Sequence, residues 1–388
     1  MLLKQDKGVI MKQEVSFVFG VAVSDYNFTG REEESRRLKM NFESGINTII
    51  ISPRRWGKTS LVNHVRQQLN HENVIDVYLD MFTCRSEYDF YNALTVAVLK
   101  QTASRMDLWM ENARDFLSRL TPKIAVNPDP NAEYSISLGI TPRTHSPEEV
   151  LQLVEEIAKK KQKRIVVCID EFQQIGEFPE SIELQKRLRS VWQQQKLVSY
   201  CLFGSKRHLM SNIFQRRNMP LYQFGDTVFL KKIPTEEWVA YIINHFEESD
   251  RHISKALATS ICEVVDNYSS YVQQLAWYIF LRLKEGETAT EEHLRLGVED
   301  LLDANDLLFM QQIESLTSYQ MNFLRALLAG HTEGFGEAAI REEFDLGSSS
   351  NIPRLKTALT ERDLIETYGK QVTFADPVFR LWLSRKIQ

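Results

Sequence analysis

The chain has 388 residues, room for two or three domains of ordinary size. Hydrophobic residues make up 43% and charged residues 26%, as in water-soluble globular proteins, and a net charge of -5 excludes a global positive field that would draw in nucleic acid or an acidic membrane. No apolar run approaches the roughly 20 residues that span a bilayer, and the first residues lack the apolar core of a signal peptide. The cysteines Cys84, Cys168, Cys201 and Cys262 are scattered, with no C-x-x-C pair, so neither a disulfide framework nor a metal site is expected, and the expected location is the cytoplasm.

The first patterned stretch is an apolar, strand-like run from Phe17 to Val23. Phe28-Thr29-Gly30-Arg31-Glu32 reads as a turn entering a charged amphipathic helix. A β-branched run, Thr48 to Ile51, then feeds the tight loop Ser52-Pro53-Arg54-Arg55-Trp56-Gly57, which opens into a helix at Lys58-Thr59-Ser60. Strand, loop and helix N-terminus in this order turn backbone N–H groups toward one point, which is what a phosphate group requires. The loop nearly matches G-x-x-x-x-G-K-[ST], in which the Lys reaches the β/γ-phosphates and the hydroxyl holds Mg²⁺. Ser52 stands in place of the first Gly and would be strained if φ there is positive.

Beyond the loop helix, which runs to about Leu69, come a strand from Val74 to Asp80 and a helix from Glu87 to about Arg105. A helical stretch from Leu108 to Leu120 and a hairpin over 123–140 come next. Ser146-Pro147-Glu148-Glu149 is a capping box that starts a helix to about Lys160. Ile165 to Ile169 is a continuous apolar strand ending in Asp170-Glu171, a helix is expected from about Ile182 to Gln195, and a strand from Ser199 to Phe203 ends at Gly204-Ser205. A last strand, Val228 to Leu230, completes a doubly wound parallel α/β fold over residues 1–233.

From Thr235 only helical periods remain: Glu236 to Phe246, Ser254 to Asn267, Val272 to Lys284 and Glu291 to about Ile313, an all-helical domain over 234–313. From residue 314 onward the pattern is helix, helix, helix and hairpin: Tyr319 to Ala329, Glu337 to Phe344, a helix capped near Ser350 and running to Arg362, then Leu364 to Phe374 around Gly369-Lys370. That order is a winged-helix arrangement over 314–388.

The loop and the Asp170-Glu171 strand end reinforce each other. Asp170 would bind Mg²⁺ through water, alongside Thr59, and Glu171 would polarise the attacking water, with Lys58 on the phosphates. Ser205, on a strand expected between the other two, fits a γ-phosphate sensor, or is a turn serine. Asp80 either supports the Mg²⁺ site or caps the next helix. Arg54 and Arg55 touch phosphate, serve a neighbouring subunit or form an exposed loop pair. Arg216 and Arg217 are candidate arginine fingers, and His64 reads as a surface residue.

The residues Phe28…Gly30-Arg31-Glu32, Ser52 to Ser60, Ile169-Asp170-Glu171 and Pro220-Leu221-Tyr222 resemble the archaeal-type ATPase family, part of the STAND/AAA+ assemblage of P-loop ATPases. The resemblance reaches the C-terminus, through Leu316-Thr317 and Asp376 to Leu383. It implies that Phe28, Gly30 and Arg31 line an adenine site, that Pro53, Arg54, Arg55, Trp56, Gly57, Lys58, Thr59 and Ser60 form the phosphate site, and that the helical domain is a lid with a G-x-P-type turn. Here the matching segment, Asn267 to Leu275, holds neither Gly nor Pro, and Gln223-Phe224 replace the arginine that often comes after Leu-Tyr.

The expected function is an ATP-binding, Mg²⁺-dependent ATPase acting as a nucleotide-driven conformational switch, with ATP and ADP as ligands and a protein partner or a homo-oligomer as the expected assembly. The alternative is an initiator-like ATPase that binds DNA through the winged helix. Residues 311–388 hold 9 basic and 10 acidic side chains, which does not favour DNA. A third reading, a scaffold that binds nucleotide without turnover, rests on Ser52.

Overall fold

The computed structural model describes residues 17–23, 25–102 and 146–387. The expected helix over 108–120 and hairpin over 123–140 lie outside the described residues. The chain divides into two compact units, Ser24–Lys231 and a second built from the segment up to Val23 together with Lys232 onward.

The first unit contains, in order, α1 (Glu32–Ser44), β1 (Thr48–Ile51), α2 (Lys58–Gln67), β2 (Val74–Asp80), α3 (Glu87–Thr102), α4 (Pro147–Lys161), β3 (Arg164–Asp170), a 3₁₀ turn (Phe172–Glu177), α5 (Ser181–Trp192), β4 (Val198–Gly204), α6 (Arg207–Gln215) and β5 (Asp226–Phe229). The strands pair in parallel in the order β2-β3-β4-β1-β5. A sheet of this kind is covered on both faces, and every residue of its central strands β1 and β4 is buried. Alternation along the strands sends Ile49, Ile51, Val167 and Leu202 to one face, under α3 to α6, and Ile50, Cys168, Cys201 and Phe203 to the other, under α1 and α2. Each such side chain contributes roughly 1.5–3 kcal/mol on full burial. The chain is doubly wound, as expected.

Helix ends obey local chemistry. Ser146 Oγ accepts a hydrogen bond from Glu149 N at 3.3 Å with Pro147 in the first helical position, so the capping box starts α4 where the sequence places it. At the end of α1, Gly45 takes φ 73, the left-handed conformation that stops a helix.

In the second unit, α7 (Thr235–Glu247), α8 (Lys255–Val264), α9 (Ser269–Phe280) and α10 (Glu291–Glu314) are followed by α11 (Ser318–Leu328), α12 (Ala338–Glu343), α13 (Asn351–Glu361), the hairpin β6 (Ile365–Tyr368) and β7 (Gln371–Phe374), and α14 (Pro377–Ile387). The sequence pattern carried the second helix of this series through Asn267. It stops earlier because Asp266 and Asn267 take φ 51 and 54, and these residue types tolerate the left-handed region. Thr317 and Gln320 form a reciprocal capping box at α11 (3.3 and 2.9 Å). The hairpin turns on Gly369 at φ 62.

The run from Phe17 to Val23 is not a strand. Phe17 is a buried aromatic anchor among Tyr241, His245, Phe246 and Phe280, and Val18 N donates to Gln273 Oε1 at 3.1 Å. Of this run only Phe17 is buried, against helices, while Gly20, Val21 and Ala22 are exposed. Among the described residues no helix is long and apolar enough to cross a membrane.

Candidate nucleotide site

The site forms where β1, β3 and β4 end together. Ile51 is in register with Gly204, and Asp80 with Asp170, so the loop after β1, the Asp170-Glu171 pair and Ser205 share the carboxyl edge of the sheet. Parallel α/β sheets place ligands at that edge.

The loop is built on two positive φ angles, Arg55 at 64 and Gly57 at 85. A Cβ on Gly57 would meet nothing within 4 Å, so the need for glycine there is conformational. Ser52 is buried and is not among the residues of positive φ, and its hydroxyl donates to Pro53 O at 3.1 Å. The strain that a serine would have met at this position does not arise.

Helix α2 begins at Lys58 with no capping side chain and no acidic residue in its first turn, which leaves its positive end for a ligand. Lys58 Nζ is buried and donates to the Ser52 and Pro53 carbonyls at 3.2 and 2.7 Å. Burial pushes its pKa down to about 8, opposed by the Asp170 and Glu171 charges. Arg54 and Arg55 are exposed, and Ser60 is buried in the first turn.

Thr59 Oγ1 donates to Asp170 Oδ2 at 2.9 Å. The same oxygen accepts from Tyr78 Oη at 3.0 Å, while Asp170 Oδ1 accepts from Glu171 N at 2.8 Å. Burial raises the Asp170 pKa, and these hydrogen bonds act against it. Glu171 takes φ 51, which bends the chain sharply at the strand end. Its Oε2 accepts from Ser205 Oγ at 2.8 Å and from Gln173 Nε2. Gln173 is buried, and its Oε1 lies 1.7 Å from where a Cβ on Gly204 would be. Any side chain at 204 would displace that amide.

The upstream box packs onto the loop. Arg31 is buried, and its two terminal nitrogens donate to Trp56 O and Glu34 Oε1, both at 3.0 Å. Burial lowers its pKa. The box therefore braces the loop from behind. Gly30 takes φ 64, and Phe28 stacks on His64 with ring centroids 3.9 Å apart. His64 is thus a ring partner with Nε2 near Gln68 Nε2 at 2.7 Å, where the sequence read a surface residue.

Asp80 Oδ1 accepts from Phe82 N at 2.8 Å, so it caps the turn after β2. Arg216 and Arg217 are exposed at the end of α6. Leu221 is buried, and Tyr222 O accepts from Arg189 at 2.8 Å. The structure brings Lys58, Thr59, Asp170, Glu171 and Ser205 together. Sequence reasoning did not single out Tyr78, Gln173 and the role of Gly204, because each depends on strand adjacency. The one available signal was a glycine directly ahead of Ser205 at a strand end.

In the second unit, Lys356 lies over the Phe335 ring at 5.4 Å, where burial lowers its pKa, and Arg362 donates to Ser315. Asn351 Nδ2 donates to Leu346 O at 3.1 Å. Lys356, Arg362 and Asn351 are therefore engaged within the unit, while Arg354 and Lys370 are exposed.

The profile of one family, described as an ATPase domain predominantly from Archaea, matches residues 28–213. No curated protein matches the sequence. Among solved structures, the Walker-type ATPase of Pyrococcus abyssi is similar with a TM-score of 0.67 and 18% identity, covering 95% of this chain and 99% of that one. The ORC2 protein of Aeropyrum pernix, solved as ADPNP–ADP complexes, is similar with a TM-score of 0.55 and 13% identity, covering 94% of this chain and 97% of that one. At these identities the two structures speak to the fold. Residues 28–213 thus match an ATPase domain of the archaeal type, and the reaction of such a domain is ATP hydrolysis.

Proposed function

We propose that the protein is an Mg²⁺-dependent ATPase that works as a nucleotide-driven conformational switch. The observation that carries this reading is the convergence of Lys58, Thr59, Asp170 and Glu171 at one sheet edge, with Thr59 and Asp170 2.9 Å apart. Lys58 exchanges the Ser52 and Pro53 carbonyls for phosphate oxygens, and the uncapped N-terminus of α2 supports the same charge.

The donor set suits Mg²⁺, a hard cation held by one or two oxygen side chains and substrate phosphates: the Thr59 hydroxyl and the Asp170 carboxylate would hold it. When bound, Mg²⁺ neutralises charge on the β- and γ-phosphates. Glu171, its Oε2 held by Ser205, receives the proton of the attacking water on Oε1. Phe28, Gly30 and Arg31 support the loop and the adenine side. The three functional parts are the ATPase core (1–233), the helical domain (234–313) and the C-terminal domain (314–388), acting in the cytoplasm with a protein partner or a second copy.

In the test, Lys58→Ala loses ATP binding and turnover together; unchanged values for both would end this reading. The switch is read by hydrogen exchange over residues 232–387 in ATP-loaded Glu171→Gln against ADP-loaded protein. Identical exchange in the two states removes the switch and leaves a plain ATPase.

A second reading, DNA contact through the C-terminal domain, is supported by the helix, helix, helix, hairpin order of α11 to β7. It must work through Arg354 and Lys370. Absence of binding to duplex DNA at ~50 mM salt removes it.

A further inference from the structure

The geometry points to Tyr78 as the positioning residue of the Mg²⁺ site, a donor that fixes the Asp170 carboxylate beside Thr59. This rests on the reading of Thr59 and Asp170 as the residues that hold Mg²⁺.

Tyr78 lies in β2, opposite Cys168 in β3, two residues back from the Asp80–Asp170 pair. Its neighbours Val77 and Leu79 belong to the core on the far face of the sheet, so Tyr78 emerges on the α2 side. There the Arg66 guanidinium sits 5.0 Å from the ring centroid. Arg66 is held in turn by Asp76, two residues earlier on the same strand, with Nε donating to Oδ2 at 2.6 Å. The ring is thus fixed from above by a cation that is itself anchored to β2, and the hydroxyl meets Asp170 Oδ2 at 3.0 Å. A phenylalanine would fill the same space. The hydroxyl is the only part of the side chain that reaches the site, and a hydroxyl at a half-buried position is favourable only with a partner.

Among the described residues three donors reach Asp170: Thr59 and Tyr78 on Oδ2, and the Glu171 amide on Oδ1. A lone pair of the Thr59 oxygen can face a cation while its O–H still donates to Asp170, so Thr59 is shared between the metal and the carboxylate, whereas the Tyr78 hydroxyl serves the carboxylate alone. Without it Oδ2 keeps one donor of two, the carboxylate turns more easily about the bond to its Cβ, and the oxygen aimed at the cation is held less firmly. Groups that hold a metal's carboxylate in this way change metal affinity by roughly 10–100-fold when removed.

The test measures binding of a fluorescent ADP analogue to the full chain, once in EDTA and once across an Mg²⁺ titration. Tyr78→Phe is expected to raise the Mg²⁺ half-saturation concentration by about tenfold or more, leaving binding in EDTA unchanged. Asp170→Asn is the control. If it leaves half-saturation unchanged, the Mg²⁺ site itself is misassigned and the inference falls with it. If Asp170→Asn shifts half-saturation and Tyr78→Phe does not, the inference alone is overturned. Equal weakening by Tyr78→Phe with and without Mg²⁺ assigns the tyrosine a structural role and also overturns it.

Discussion

At the loop between β1 and α2 the chain leaves positive potential for something else to use. No side chain caps α2, Arg54 is exposed, and Lys58 rests on two backbone carbonyls that can be exchanged for a ligand. From α10 to α14 several cations are used internally. Lys356 covers Phe335, Arg341 donates to the Gly336 and Gly347 carbonyls, Lys386 pairs with Asp306 at 2.9 Å, and Arg385 with Asp303 at 3.5 Å. The two regions show that counting basic residues says little about anion binding. What matters is whether each cation already has a partner that costs more to leave than the ligand returns.

The largest effect expected from breaking the first region is at Glu171. Glu171→Gln should retain ATP binding and lower kcat by roughly 10²–10⁴-fold, measured by single-turnover hydrolysis beside equilibrium binding. Next comes the clamp on that carboxylate. Gly204→Ala places a methyl where Gln173 Oε1 sits, so it and Gln173→Ala should each lower kcat, by about tenfold, and the double variant should fall no further. Additive losses would show that Gly204 and Gln173 act separately.

Ser52→Gly sharpens the comparison from the other side. Because Ser52 already has an ordinary φ, restoring glycine should leave kcat within about twofold and lower stability by roughly 0.4–1 kcal/mol, through the greater freedom of the unfolded chain. A large gain in turnover would mean that the loop does need a glycine there. The smallest effect belongs to the second region. Lys356→Ala should lower the Tm by a few degrees, through lost packing on Phe335, and leave duplex-DNA retention at low salt unchanged. A lost gel shift with an unchanged Tm would instead make that lysine a DNA contact.

The phosphate loop and the Asp170-Glu171 pair could be read in the sequence because each is a local pattern on a strand end. The place of Ser205 was also legible, because the expected strand order set β4 between β3 and β1, and the structure has that order. Tyr78 and Gln173 were not, since each acts on a carboxylate through a fold-made contact: Tyr78 reaches Asp170 from the next strand, and Gln173 reaches Glu171 only because Gly204 leaves space. Arg31 was readable as a residue of the site, but its bond to the Trp56 carbonyl was not. Helix ends were missed where Asp266 and Asn267 did the work of glycine. The run at Phe17 was misread because a short apolar run does not say which of its residues are buried, and here only Phe17 is.

That anchor sets an order of events during synthesis. Phe17 and Val18 are translated ahead of the partners they pack against, and Gln273, which receives the Val18 amide, lies 255 residues further along. The ATPase unit, Ser24–Lys231, is complete before the rings that enclose Phe17 have been made. Contacts so distant in sequence close late, although the entropy of closing the loop grows only slowly with its length. A segment translated ahead of the nucleotide-binding unit is therefore among the last to dock, and until it does, the second unit has an open aromatic socket while the nucleotide-binding unit is already able to fold.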